Sequence, residues 1–151
     1  MIDEHSIDQA GEGEFDEIVE VWEASVRATH DFLKEEDIVY FRPLIRNTYL
    51  KALDVRCIRR RGHQRILAFM AVSGSSIEML FIHPEARGKG LGRKLLQYAV
   101  EEMHADKVDV NEDNLQAVGF YEHMGFKTVK RSALDGTGKP YPILHMSLDK
   151  T

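Results

Sequence analysis

The sequence predicts an α/β (α+β) domain: one mixed, mostly antiparallel sheet of about six to seven strands, flanked by about four helices. Three observations predict it. Phe15, Ile18, Val19, Trp22 and Val26 recur at helical spacing near the start. The apolar period then shortens to that of strands between residues 54 and 83. Beyond residue 90, helix-like and strand-like stretches alternate to the end of the chain. At 151 residues the whole chain, 1–151, is the size of one domain.

The elements follow in order. A short strand occupies part of the first ten residues, and an amphipathic helix runs from about 13 to 28. Thr29-His30-Asp31-Phe32-Leu33 is a loop between helices. A second helical pattern carries Ile38, Phe41, Ile45 and Tyr49, and Pro43 within it predicts a kink or restart. Residues 54–60 and 64–72 are two strands around an Arg-Gly-His turn. Ser73-Gly74-Ser75 turns the chain into a third strand, 76–83, which ends where Pro84 can no longer donate to a ladder. Leu91, Leu95, Leu96, Ala99 and Met103 share one helix face, and 107–110 is a short strand. Asn114 is an N-cap for a helix reaching Met124, with Gly125 as its C-cap. Strands 126–131 and 143–148 close the domain across a turn-rich 135–140 segment.

Composition removes several function classes. The chain is 43% apolar and 30% charged, with 4 Pro and 11 Gly, which is a globular composition. Apolar runs such as 66–72 are too short to cross a bilayer, and no membrane partner is expected. The opening Met1-Ile2-Asp3-Glu4-His5 has no basic segment leading into an apolar one, so no secretory leader is expected and the cytoplasm is the expected location. A single cysteine, Cys57, excludes a disulfide framework and a cysteine-based zinc site, and on a strand it is expected in the core. The seven histidines form no His-Glu-x-x-His pattern, so no metal is implied; His83, His104 and His123 read as surface or packing residues. The net charge of −5 argues against nucleic acid as the main partner. The charge is uneven: nine acidic residues and no Lys or Arg precede Arg27. A basic cluster at Arg56, Arg59, Arg60, Arg61 and Arg65 reads as a solvated hairpin tip.

A second basic cluster is interleaved with glycine: Arg87-Gly88-Lys89-Gly90-Leu91-Gly92-Arg93. It follows a strand and opens a helix. Glycine lets backbone amides approach a ligand closely, and the helix N-terminus adds unpaired N–H groups and partial positive charge. Lys89, Arg93 and Lys94 add full charges. The combination suits phosphate, most simply a diphosphate. A Walker loop is absent, and a dinucleotide fingerprint would need its third glycine at the position of Arg93. A third pattern, Arg/Gln-x-x-Gly-x-Gly/Ala, is met by Arg87, Gly90 and Gly92. About 25 residues on, Asn114-Leu115-Gln116-Ala117-Val118-Gly119-Phe120-Tyr121-Glu122-His123-Met124-Gly125-Phe126 has the form Asn-x-x-Ala-x-x-Phe-Tyr-x-x-x-Gly-Phe. In these two motifs, and in the order of elements from 68 to 126, the chain resembles the GNAT superfamily of N-acetyltransferases, in its small stand-alone form.

The resemblance implies chemistry. The strand before the loop would splay from its neighbour, and Phe81 and Ile82 would pair their backbone with the pantetheine arm of acetyl-coenzyme A. Backbone amides from Arg87 to Arg93 (Arg87, Gly88, Lys89, Gly90, Leu91, Gly92, Arg93) would hold the diphosphate, and Asn114 would contact the cofactor near its pantetheine end. Tyr121 matches the family position whose phenol protonates the departing thiolate. Glu78 on the same strand is the candidate base, its side chain expected on the face of Leu80 and Ile82. His30, in the loop between the first two helices, is the alternative and a residue of the acceptor site. The implied partners are acetyl-coenzyme A and an amine acceptor, a small molecule or a protein amine, with a monomer or homodimer as the working form. Two other readings remain at this point: a coenzyme A-binding module without turnover, and a nucleotide-binding enzyme.

Overall fold

In a computed structural model, residues 5–148 are described. The expected alternation is present, with shifted ends. Strand β1 (His5–Gln9) and a 3₁₀ turn (Glu12–Glu14) lead into helix α1 (Phe15–Thr29). Helix α2 (Glu35–Leu44) contains Pro43, a π-helical turn follows at Ile45–Tyr49, and one α-turn, α3 (Leu50–Ala52), completes the segment. The proline thus loosens the helix into a wide turn without ending it. Next come β2 (Asp54–Arg60), β3 (Ile66–Ser73), β4 (Ser76–Ile82), a 3₁₀ turn (Pro84–Ala86) and α4 (Leu91–Glu102). The chain closes with β5 (Lys107–Asn111), α5 (Leu115–His123), β6 (Phe126–Ser132) and β7 (Ile143–Leu148).

The seven strands form one sheet in the order β1-β2-β3-β4-β5-β7-β6. Every neighbouring pair is antiparallel except β4–β5, which is parallel and joined only at Ser76↔Lys107 and Ile77↔Val108. Strand β3 reads as an apolar run because it is covered on both faces. Ala68, Met70 and Val72 pack with Leu95 and Leu96 of α4. Phe69 and Ala71 pack with Ile18, Trp22 and Val26 of α1.

One irregularity in this sheet matters for the site. Ala71 pairs with Met79 and Val72 with Ile77, so Glu78 is an extra, unpaired residue, a β-bulge. The strict alternation expected from sequence would have put Glu78 on the face of Leu80 and Ile82. The bulge breaks it. Ile77, Leu80 and Ile82 pack toward α4, Met79 and Phe81 pack toward α1, and Glu78 comes beside Asp109 and His145.

The first basic cluster divides. Arg60, Arg61 and Arg65 are exposed at the β2–β3 turn, as expected, and Arg65 pairs at the surface with Glu85 at 2.5 Å; Arg56 and Arg59 are instead tied into the fold, by Asp54 at 2.8 Å and by Asp8 and Glu14. Lys94, grouped with the glycine loop by sequence, donates to the carbonyl of His5 at 2.8 Å and holds β1.

Phe69 is fully buried and its ring lies 5.7 Å from that of Phe81, so it sets the position of β4 from beneath. Phe69→Ala should lower stability by about 3–5 kcal/mol, the usual cost of emptying an aromatic site in a packed core. Urea unfolding followed by tryptophan fluorescence, with Trp22 as the reporter, measures it.

Candidate active site

The site grows from the place where β4 and β5 part. Beyond Ile77 the β5-facing edge of β4 has no strand partner, while its other edge stays paired with β3 up to Ile82. Two cavities open into this gap. One, of about 310 Å³, lies over the glycine loop; the other, of about 610 Å³, lies beneath α1, α2 and the segment joining β6 to β7. They meet at six shared residues: His30, Leu80, Phe81, Asn114, Ala117 and Tyr121.

The smaller cavity gathers most of the loop. Arg87, Gly88, Gly90, Leu91, Gly92 and Arg93 line it, together with Ile82. Lys89 is exposed and outside the lining. Leu91 is buried, so it offers its backbone to the cavity and its side chain to the core. Gly88 and Gly90 have φ of 77° and 74°, which side-chain-bearing residues adopt only with strain. A Cβ at Gly90 would meet no atom within 4 Å. Its requirement is therefore the left-handed turn that starts α4. Gly92 is different: a Cβ there would come 3.0 Å from Cδ1 of Ile82, so its smallness seats α4 on β4. The first intrahelical bond runs from Lys94 N–H to Gly90 C=O, which leaves the N–H groups of the first turn pointing at the cavity.

His30 and Asn114 form the partition. Thr29 Oγ1 gives its one proton to the Ser25 carbonyl at 2.8 Å, so at 2.6 Å it accepts from His30 Nδ1–H. Asn114 Oδ1 accepts from Ala117 N–H at 3.3 Å, capping α5, so its amide nitrogen donates to His30 Nε2 at 3.2 Å. His30 is thus a neutral imidazole with both nitrogens engaged. Burial, then the charge of Arg87, pushes it down to about 4. His30 cannot serve as the base that its loop position suggested: its lone pair is already committed, and a proton on Nε2 would face an N–H donor.

Tyr121 is buried between Phe120 and Phe126, with ring centroids 5.3 and 5.9 Å away. Burial pushes its phenol up, so the hydroxyl stays protonated and can act as a proton donor. Glu78 lines the larger cavity. Burial first, and then the charge of Asp109, raise its carboxyl above the ordinary range. Cys57 lies in the core, and burial pushes its thiol up to about 12, which leaves it unreactive.

Other site residues are not singled out by sequence reasoning. His145 on β7 bonds Asp109 through Nδ1 at 2.7 Å and Ser132 through Nε2 at 2.7 Å, and all three line the larger cavity. The available signal is a polar residue inside an otherwise apolar strand, as in Val108-Asp109-Val110 and Leu144-His145-Met146. The β6–β7 segment is held down by Asp37, which accepts from the Tyr141 hydroxyl and pairs with Lys139 at 2.8 Å. Among the described residues, no group of three or more His, Cys, Asp or Glu side chains is placed to hold a metal ion, and no helix is long and apolar enough to cross a membrane.

The arrangement suits acyl transfer: a helix start of the kind that suits phosphate, an open strand edge, a buried phenol and a carboxylate meet at one gap. The sequence model of the acetyltransferase (GNAT) domain matches residues 57–141. The chain belongs to the GNAT acetyltransferases. It is 39% identical over 142 residues to the peptidyl-lysine N-acetyltransferase YjaB of Escherichia coli strain K12, spanning 94% of this chain and 95% of that protein. The solution structure of apo-form YjaB from Escherichia coli superposes with a TM-score of 0.87 at 37% identity, covering 100% of both chains. The crystal structure of the PaiA N-acetyltransferase from Thermoplasma acidophilum in complex with coenzyme A has a TM-score of 0.70, covering 96% of this GNAT chain and 99% of the other; at 16% identity the likeness is one of fold.

The His30 partition should show in pH-dependent stability. Its folded-state value lies below the ordinary 6.5, so the unfolded chain binds the proton first. The neutral imidazole's contribution is fully present above pH 6.5 and is lost as pH falls toward 4. Over that range wild-type protein should lose about 3 kcal/mol more than His30→Asn. Urea melts at several pH values compare the two.

Proposed function

We propose that this protein transfers the acetyl group of acetyl-coenzyme A to a primary amine by direct attack within a ternary complex, with the side chain of a polypeptide lysine as the acceptor. The observation that carries the reading is the meeting of the two cavities at Tyr121 and the open edge of β4. The smaller cavity fits the cosubstrate's anionic end, through the amides at the start of α4 and the charges of Arg87 and Arg93. Ile82, together with Leu80, turns its backbone to the open edge, where an amide-containing arm would join as a strand; Phe81, expected to share that role, is a hydrogen-bonded partner of Phe69 on the β3 side and borders the gap with its side chain. Asn114, engaged with His30 and α5, borders the place where that arm reaches the acceptor side. The cytoplasm would supply both reactants.

The larger cavity supports a lysine-type acceptor. Its walls include Trp22, Val26, Leu33 and Phe41, which suit a methylene stem, and Glu78 and Asp109 suit an ammonium at its end. The acceptor named for the E. coli relative has the same chemistry. An alkylammonium must lose a proton before its nitrogen can attack, and its ordinary pKa is near ~10.4. Glu78, which lines the same cavity, would accept a hydrogen bond from it and serve as the base. A backbone N–H of the open β4 edge faces the developing oxyanion. The Tyr121 hydroxyl holds the proton for the departing thiolate.

Thiol release from acetyl-coenzyme A, measured over a panel of lysine peptides, free amino acids and polyamines, tests the reading. Binding of coenzyme A without thiol release on any amine would leave only a binding module. Tyr121→Phe keeps the ring packed and removes the proton donor, so kcat should fall on the order of 10²-fold, with coenzyme A affinity within a few-fold. Calorimetry on the same protein separates the two effects.

Coenzyme A at ~100 times its dissociation constant should raise stability by about 2.7 kcal/mol. In Gly90→Val the shift should vanish, because a β-branched residue cannot hold the left-handed turn that aims the amides of α4. A folded Gly90→Val protein with the full thermal shift would remove the loop from cofactor binding.

A further inference from the structure

His30 stands where the two cavities meet and has no nitrogen left to offer either of them. Its ring is tightly held. The residue is the C-cap of α1, with its N–H on the Val26 carbonyl at 2.7 Å. Its ring centroid lies 5.0 Å from that of Phe32 and 6.1 Å from that of Phe81, and the residue is buried. Burial and the charge of Arg87 keep the ring neutral, so it carries one proton. Thr29 Oγ1 fixes that proton on Nδ1, which directs the Nε2 lone pair at Asn114. A ring gripped in this way is a fixed post, and what it holds is the Asn114 amide.

Asn114 has two reasons to need such a post. The first is its own orientation. A side-chain amide has two N–H donors and an oxygen with two lone pairs. One lone pair accepts from Ala117 N–H, and one N–H goes to His30 Nε2. One N–H and one lone pair are left for a ligand, on a residue that lines both cavities. They match the C=O and N–H of an amide in an extended arm. The second reason is the helix that Asn114 caps. Helix α5 has nine residues, and helices this short are held by contacts with the rest of the fold. Among its residues only Tyr121 is buried, about two turns beyond the cap. Leu115, at the first position, is exposed. The His30–Asn114 bond therefore ties the start of α5 to the end of α1, while Tyr121 anchors its far end.

We propose that His30 is a positioning residue for acetyl transfer: its Nε2 lone pair holds the Asn114 amide against the arm of acetyl-coenzyme A and so sets the thioester beside Tyr121. The inference rests on the acetyl-coenzyme A-dependent function proposed above. It assigns His30 to the cosubstrate, acting through Asn114, in place of the base or acceptor-site role that its loop position suggests. An amide held by one cap bond of 3.3 Å swings about its side-chain torsions. A second bond, from a ring that cannot move, leaves it one orientation. A misplacement of about 1 Å at the reacting centre costs about 10²-fold in rate. A lone pair that touches neither reactant is then enough to govern turnover.

Two substitutions separate the ring nitrogens. His30→Asn keeps a donor near the place of Nδ1 and loses the acceptor at Nε2. His30→Gln reaches the place of Nε2 and supplies an acceptor there. In steady-state acetylation of a lysine peptide, His30→Asn should lower kcat/KM for acetyl-coenzyme A on the order of 10²-fold, with the KM for the peptide within about twofold. Its affinity for coenzyme A, by calorimetry, should fall about 10-fold. His30→Gln should recover both constants to within about fivefold of wild type. In an Asn114→Ala background, His30→Asn should cost no more than about twofold, because its effect passes through Asn114. Equal losses in the two His30 variants would overturn the proposal, since a base role predicts them. So would a raised peptide KM with kcat/KM for acetyl-coenzyme A unchanged, or a full-sized loss in the Asn114→Ala background. Nitrogen NMR of labelled wild-type protein carries the test if His30→Asn does not fold: Nδ1 should be protonated and Nε2 bare, and a proton on Nε2 overturns the proposal. Wild-type protein that acetylates no amine would overturn the functional reading and the kinetic part of this one; calorimetry on the same variants still decides whether His30 holds Asn114 for coenzyme A.

Discussion

Between β4 and β5 the sheet is joined at two residue pairs and then parts. A sheet edge left open inside a domain is costly unless something satisfies its N–H and C=O groups. This chain keeps the edge in place from the other side. Strand β4 is antiparallel to β3 along almost its whole length, and β3 is buried between α1 and α4. Phe69 beneath Phe81 and Gly92 against Ile82 fix the two faces of β4. The edge is therefore rigid and unpaired at once, which is the state needed to recognise an extended amide-bearing ligand through backbone contacts.

The gap also demands that the polar groups around it be satisfied. Thr29, His30 and Asn114 do this by a fixed sequence of donors and acceptors, from the Ser25 carbonyl to the first turn of α5. Because each group has one partner of the right kind, the partition between the cavities has a single hydrogen-bonding state. That fixed arrangement separates the cavity over the glycine loop from the larger one. It also leaves the conspicuous histidine at the gap with both nitrogens committed, while Tyr121 on α5 and Glu78, Asp109 and His145 on the sheet lie around it.

Much of this was legible because the loop chemistry is local. Glycines at 88 and 90, followed by a helix, specify their own turn and their own amides, and Asn114 caps the helix it precedes. Element types follow from periodicity for the same reason. What was not legible depends on register. The bulge at Glu78 is a property of how β3 and β4 pair, and the one-residue offset reverses the face of the side chain. The alignment of Asp109 with His145 joins strands 36 residues apart in the chain. Ser132, at the end of β6, and Tyr141, just past a segment whose sequence reads only as turns, both reach the cavity. Pro43 was legible as a disturbance, but its outcome, a π-helical turn that lets the segment continue to Ala52, depends on Ile45 and Leu50 being buried against α1 and the sheet.

The bulge lies where the splay begins. Without the extra residue, β4 would continue its alternation, and Glu78 would face α4 with Leu80 and Ile82. A carboxylate there would sit in the apolar contact that seats α4, where a charge is strongly disfavoured. With the extra residue, the carboxylate lines the larger cavity near Asp109, and Leu80 and Ile82 remain in the contact with α4. One inserted residue thus sets a carboxylate at the larger cavity, at the point where the parallel pairing with β5 ends and the open edge of β4 begins.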